Sequence, residues 1–139
     1  MTSVRPAQLR DGDALFSLAR AFATSFTVER SAFDSSFAAL LQSPDAFVAV
    51  ASDSDRIVGY VLVFDHHTFY ANGRVAWVEE IMVAEDCRRH GIGRLLMEGV
   101  EQWAKSRQSK LIALATRRAA PFYRSIGYED SAIYFRRLL

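Results

Sequence analysis

With one cysteine in 139 residues, the chain cannot close an intramolecular disulfide, and a cysteine-based metal cluster is excluded with it. Histidine is nearly as scarce. His66, His67 and His90 stand in no familiar ligand spacing, so no metal is expected. No run of about 18 apolar residues occurs, so nothing reads as a membrane-spanning helix. The opening stretch MTSVRPAQLRDGD has no apolar core of the signal-peptide kind, and a cytoplasmic domain is the expectation. An excess of one charge is also missing. The 17 Lys and Arg against 16 Asp and Glu leave a net charge of +1, with no field to draw nucleic acid or a membrane surface. Repeats and low-complexity linkers are absent too, and the length suits one domain over 1–139 with a hydrophobic core.

What the chain does have is apolar periodicity that changes along its length. A short strand is expected at 3–8, and Leu15, Leu18, Ala19 and Phe22 then follow a helical spacing. Phe33, Phe37, Leu40 and Leu41 repeat that spacing in a second helix, which ends near Ser43-Pro44-Asp45. The runs at 46–51 and 56–64 read as strands joined by a turn at 52–55. The Asn-Gly of 71–74 suits a type I′ hairpin into a strand over 75–83. A third helix is marked by Ile92, Leu95, Leu96, Val100 and Trp103. A strand at 110–116, a short helix at 120–125 and a final strand at 131–139 complete a mixed α/β order. The strand runs are apolar on both faces, as in a sheet covered on both sides.

Residues 88–93 read RRHGIG, between the strand and the third helix. Such a loop is either a solvated turn or an anion cradle. The first-turn N–H groups of a helix lack intrahelical partners, the helix dipole adds positive charge, and glycine admits close approach. Arg88, Arg89 and Arg94 can add charge-assisted contacts. A Walker A loop is excluded because no Gly-Lys-Ser/Thr follows, and the dinucleotide fingerprint lacks its third glycine.

The stretch VEEIMVAEDCRRHGIGRLLM (78–97) has an apolar strand ending in Val, an acidic connector and Arg-x-x-Gly-x-Gly opening a helix. Downstream, TRRAAPFYRSIGY (116–128) places Phe-Tyr before Gly-Tyr. Together and in this order the two motifs resemble the GNAT superfamily of acyl-CoA-dependent N-acetyltransferases, over nearly the whole chain. The resemblance implies an α/β (α+β) fold with a mixed, mostly antiparallel sheet of six or seven strands and about four helices. Two parallel strands, 75–83 and 110–116, would splay to admit acetyl-CoA as co-substrate. It also implies that backbone groups of Ile81, Met82 and Val83 face the pantetheine arm. The loop Arg88, Arg89, His90, Gly91, Ile92, Gly93 and Arg94 would hold the pyrophosphate, with His90 acting through its backbone. Thr116 stands where the family often has Asn and would bind the donor or order its loop.

Acetyl transfer to an amine requires a proton acceptor for the ammonium, whose pKa is about 10, a donor to the developing oxyanion and a proton for the thiolate. Glu79 and Glu80 are carboxylates in an otherwise apolar strand, and either is a candidate acceptor. Adjacent strand side chains point to opposite faces, so at most one of the two is expected to point into the cleft, and a place at the strand's solvated edge or a structural pair with an arginine is the competing reading. Tyr123 occupies the position of the family's usual general acid and would touch the donor sulfur, with packing of the short helix as its bland alternative. The acceptor amine is expected near His66, His67, Phe69 and Tyr70 at the hairpin end, with Glu79 and Asp65 as attracting charges. That segment serves equally well as a hairpin tip packed on the sheet or on a second subunit. The expected partner is a small-molecule primary amine, with a protein N-terminus or lysine, or a non-catalytic CoA-binding role, as alternatives. No nucleic acid or membrane partner is expected. A homodimer through the C-terminal strands or the helix surfaces is compatible with the pattern.

Overall fold

The alternating runs in the middle of the chain become three long antiparallel strands that organise everything else. The computed structural model describes residues 1–139. Its elements are β1 (Thr2–Pro6), α1 (Gly12–Phe22), α2 (Arg30–Gln42), β2 (Ala46–Asp53), β3 (Arg56–Thr68), β4 (Gly73–Val83), α3 (Ile92–Ser106), β5 (Ile112–Leu114) and α4 (Ala120–Ser125). The strands lie in the order β1-β2-β3-β4-β5. The first four pair antiparallel, and β4 pairs with β5 in parallel.

Because side chains alternate along a strand, β2 and β3 feed two cores at once. Ala49, Ala51, Val61 and Val63 face Leu96, Met97 and Val100 of α3, and Tyr123 of α4 joins that cluster. Val48, Val50, Tyr60 and Leu62 face Leu15 and Leu18 of α1 and Phe37 of α2. The helical spacing read from the sequence therefore marks the inward stripes, except that Phe22 is exposed and Leu95 packs into neither core. Pro121 lies in the first turn of α4, where its missing N–H costs nothing.

Three expectations need correction. The sheet has five strands rather than six or seven, because residues 131–139 form no strand. Ile133, Phe135 and Leu138 of that segment are exposed, and none of its backbone groups bonds to the rest of the protein. A strand needs an edge to pair with, and β5 is only three residues long. The hairpin forms, but with a four-residue loop, 69–72, closed by the pair Thr68 and Gly73, instead of a two-residue turn. Asn72 takes the left-handed conformation there (φ 60°), and Thr68 Oγ1 donates to Gly73 O at 2.7 Å. The parallel strand expected over 110–116 is confined to Ile112–Leu114.

Asp65, read as an attractor for an amine, is instead buried and committed to structure. Its carboxylate accepts from Arg74 Nη1 at 2.9 Å and from Nε and Nη2 of Arg107, which ties the hairpin to the end of α3. Arg74 and Arg107 also reach Asp45, so one carboxylate pair holds β3, β4, α3 and the α2–β2 turn together. Removing the buried partner would leave the two guanidinium groups with only the half-exposed Asp45 as acceptor. Asp65→Ala is expected to lower unfolding stability by about 3 kcal/mol, read by urea denaturation.

Candidate active site

Strand β4 carries one residue more than β3 opposite it. Leu62 pairs with Glu80 and Val63 with Val78, which leaves Glu79 as the extra residue of a β-bulge. Before the bulge, Ala76 and Val78 face α3; after it, Ile81 and Val83 do, so Glu80 and Met82 turn to the α1–α2 side. The expectation that Glu79 and Glu80 diverge holds only for a regular strand. Glu79 Oε2 accepts from Trp77 Nε1 at 2.7 Å, and Glu80 Oε1 accepts from Tyr60 Oη at 2.6 Å. Trp77 is opposite Phe64 and Tyr60 is in the α1–α2 core, so both carboxyls lie on one side of the sheet.

The pairing of β4 with β5 stops at the same place. Ala76, Trp77 and Val78 match Ile112, Ala113 and Leu114, and from Glu79 to Val83 β4 has no neighbour on that side. A bulge bends and twists its strand, and here the two strands part. The gap belongs to a cleft of about 2900 Å³ lined from both faces of the sheet. Ile81, Met82 and Val83 form its wall along β4, and Arg88 Nε, which donates to Val83 O at 3.2 Å, closes the strand's end.

One end of the cleft is the loop before α3. The backbone N–H groups of Arg89, His90, Gly91, Ile92, Gly93 and Arg94 have no acceptor within the protein. Gly91 caps the helix in the left-handed conformation (φ 77°), and Arg89 is also left-handed (φ 67°). A side chain on Gly91 would meet open space, whereas a Cβ on Gly93 would come within 3.2 Å of Phe122. The first turn of α3 has no acidic residue to neutralise the helix dipole. Arg94 pairs loosely with Glu98, and Arg89, Arg117 and Arg118 make no ion pair and line the cleft. These features suit a multiply charged anion such as a pyrophosphate. Thr116 Oγ1 accepts from Ala119 N at 3.0 Å, so it orders the turn before α4.

Tyr123 sits beside this cleft. It is buried and lines the cleft, and its hydroxyl makes no hydrogen bond to the protein. Burial pushes that phenol above its ordinary value of about 10. Phe122 and Tyr128 pack edge-on against its ring, and Tyr128 donates to Glu101 at 2.9 Å. Tyr70 also lines the cleft, but His66, His67 and Phe69 do not, and Phe69 is fully exposed.

Four residues at the cleft were passed over in the sequence. Tyr60 reads as one more apolar residue of a buried strand, and Trp77 as another. Arg117 and Arg118 show as a charge pair without a place. Only the bulge and the gap, which arise from pairing between distant strands, give them roles.

A model of the acetyltransferase (GNAT) family matches residues 13–128. The chain belongs to that family. Its members are N-acetyltransferases, and acetyl-CoA is their typical co-substrate. The chain is 40% identical to N-alpha-acetyltransferase 80 of Mus musculus over 52 residues, which are 37% of this chain and 17% of that protein. It superposes with a TM-score of 0.88 on a transcriptional regulator from Bacillus halodurans C-125, at 21% identity over 100% of both chains. The TM-score is also 0.88 against glucosamine-6-phosphate N-acetyltransferase from Arabidopsis thaliana, at 19% identity over 99% of this chain and 98% of that one. At such identities the likeness to solved structures is one of fold. No helix of this GNAT chain is long and apolar enough to cross a membrane.

The tyrosines of the site carry a pH signature. Burial first, and then neighbouring Glu80 and Glu101, raise Tyr60 and Tyr128 above the ordinary range, and burial raises Tyr123. The unfolded chain releases these protons near pH 10 while the folded chain keeps them, so folding stability falls as pH rises beyond about 10. Denaturation midpoints between pH 8 and 11 should show this loss, and it should shrink in Tyr60→Phe.

Proposed function

We propose that the protein transfers an acetyl group from acetyl-CoA to a primary amine of a small molecule, by direct attack of the amine. The observation that carries this is a single cleft joining the unpartnered backbone amides of Arg89 and of Gly91 to Arg94 at one end to two carboxylates and a buried tyrosine whose hydroxyl has no hydrogen-bond partner. The amides of Arg89 to Arg94, with Arg117 and Arg118, suit the pyrophosphate, and the open edge of β4 at Ile81, Met82 and Val83 suits the pantetheine arm. The donor supplies the activated thioester.

The rest falls to side chains of this chain. An alkylammonium holds its proton at neutral pH and must lose it before the nitrogen can attack. Glu80 takes that proton at Oε2, the oxygen that Tyr60 leaves unoccupied, while Glu79, exposed at the mouth, attracts the cation. Tyr123 gives its hydroxyl proton to the departing sulfur, and burial keeps that hydroxyl protonated until needed. The ammonium loses two protons in becoming an amide. One leaves through Glu80, and the other balances the proton delivered by Tyr123. Trp77, bonded to Glu79, and Tyr134, stacked on Trp77, line the cleft beside these carboxylates, a setting for an amine cation with an apolar body.

Acetylation of a peptide N-terminus is the second reading. It is favoured by the stretch similar to N-alpha-acetyltransferase 80.

Release of free CoA thiol, followed with a panel of small amines and of peptides with free N-termini, separates the two. Small amines should react with the higher kcat/KM. The reverse order would move the assignment to peptides, and bound CoA without turnover of any acceptor would overturn the enzymatic reading. Tyr123→Phe should lower kcat by about 100-fold. A wild-type rate and pH profile in that variant would remove Tyr123 from the role.

A further inference from the structure

Tyr60 and Glu80 are bound to each other and to nothing else. The Tyr60 ring is 4% exposed among Val48, Val50, Leu62 and Phe37, and its hydroxyl has the Glu80 carboxylate as sole partner, at 2.6 Å. Glu80 in turn makes no ion pair and no second hydrogen bond. A phenylalanine would fill this apolar site without burying a hydroxyl, and a buried phenol is tolerated only when its hydroxyl finds an acceptor. The bulge at Glu79 supplies that acceptor by turning Glu80 to this side.

We infer that Tyr60 is the positioning residue of the proton acceptor. Its hydroxyl holds Glu80 Oε1, so that the three-torsion side chain presents Oε2 to the amine. The inference rests on the role given to Glu80 in the proposed function. A phenol donating to a carboxylate forms a short, charge-assisted bond, in keeping with 2.6 Å. Burial, followed by the charge of Glu80, raises the Tyr60 hydroxyl well above its ordinary range, in keeping with its role as donor. Tyr60 itself touches no reacting atom.

The test separates a positioning role from a packing one by the basicity of the acceptor. Wild type and Tyr60→Phe are compared at pH 7 with the best alkylamine of the panel, which arrives protonated, and with methoxyamine, which arrives unprotonated and needs no base. Loss of positioning predicts kcat about 10- to 100-fold lower on the alkylamine, a change within about threefold on methoxyamine, and an unchanged KM for acetyl-CoA. In a Glu80→Gln background, Tyr60→Phe should cause no further loss on the alkylamine. Equal losses on both acceptors, additive losses in the double variant, or a wild-type rate on the alkylamine would each overturn the inference. Where wild type itself does not use methoxyamine, the double variant alone decides. Absence of turnover in the wild type with every amine is a different failure, that of the proposed function.

Discussion

Between Val78 and Glu80 the fourth strand of the sheet runs one residue ahead of its neighbour, and the rest of the site depends on that slip. It reverses which face the following side chains occupy, so two adjacent carboxylates come to the same side of the sheet. It also coincides with the last residue pair between β4 and β5. A strand that bends and twists at a bulge cannot keep its ladder with a short parallel neighbour. The unpaired backbone beyond the bulge must then find partners in a ligand or water. A gap in a sheet is otherwise costly, and here it is supported by covered faces above and below, with α3 on one and α1 with α2 on the other.

The two ends of the resulting cleft follow different physics. The loop before α3 presents backbone. Glycine at position 91 permits the left-handed cap, six amides are left pointing out, and no acidic side chain competes for them. The other end presents side chains, among them tyrosines whose hydroxyls burial raises above the ordinary range. Tyr123 keeps an unbonded hydroxyl in an apolar setting, while Tyr60 spends its own on Glu80. Two tyrosines of similar burial thus behave differently because one has a carboxylate in reach.

Structural charge is segregated from this chemistry. Asp65 carries the same side-chain class as the cleft carboxylates and sits on a neighbouring strand. Two arginines saturate it and lock the hairpin against the end of α3. Sequence proximity to His66 and His67 suggests an amine site there, but the fold uses the cluster as a clamp, and neither histidine lines the cleft. The exposed 131–139 segment is the opposite case. Its alternating pattern fits a strand, yet β5 offers an edge of only three residues, and only Tyr134 stacking on Trp77 and Arg136 bonded to Ser25 hold it near the cleft.

Local properties were therefore legible in the sequence. The helical stripes, the strand runs at 46–51, 56–64 and 75–83, and the glycine loop that opens α3 depend on neighbours a few residues apart, and each appears where the pattern places it; the Asn-Gly segment makes its hairpin with a longer loop than the pattern suggests. What the tertiary structure alone decided is everything set by register between strands: that Glu79 is a bulge, that Glu80 meets Tyr60 twenty residues earlier in the chain, that β4 and β5 part after Val78, and that the last nine residues remain unpaired. Register is a property of two strands at once, and a single inserted residue changes the facing of all that follow without altering the apolar pattern from which strands are read.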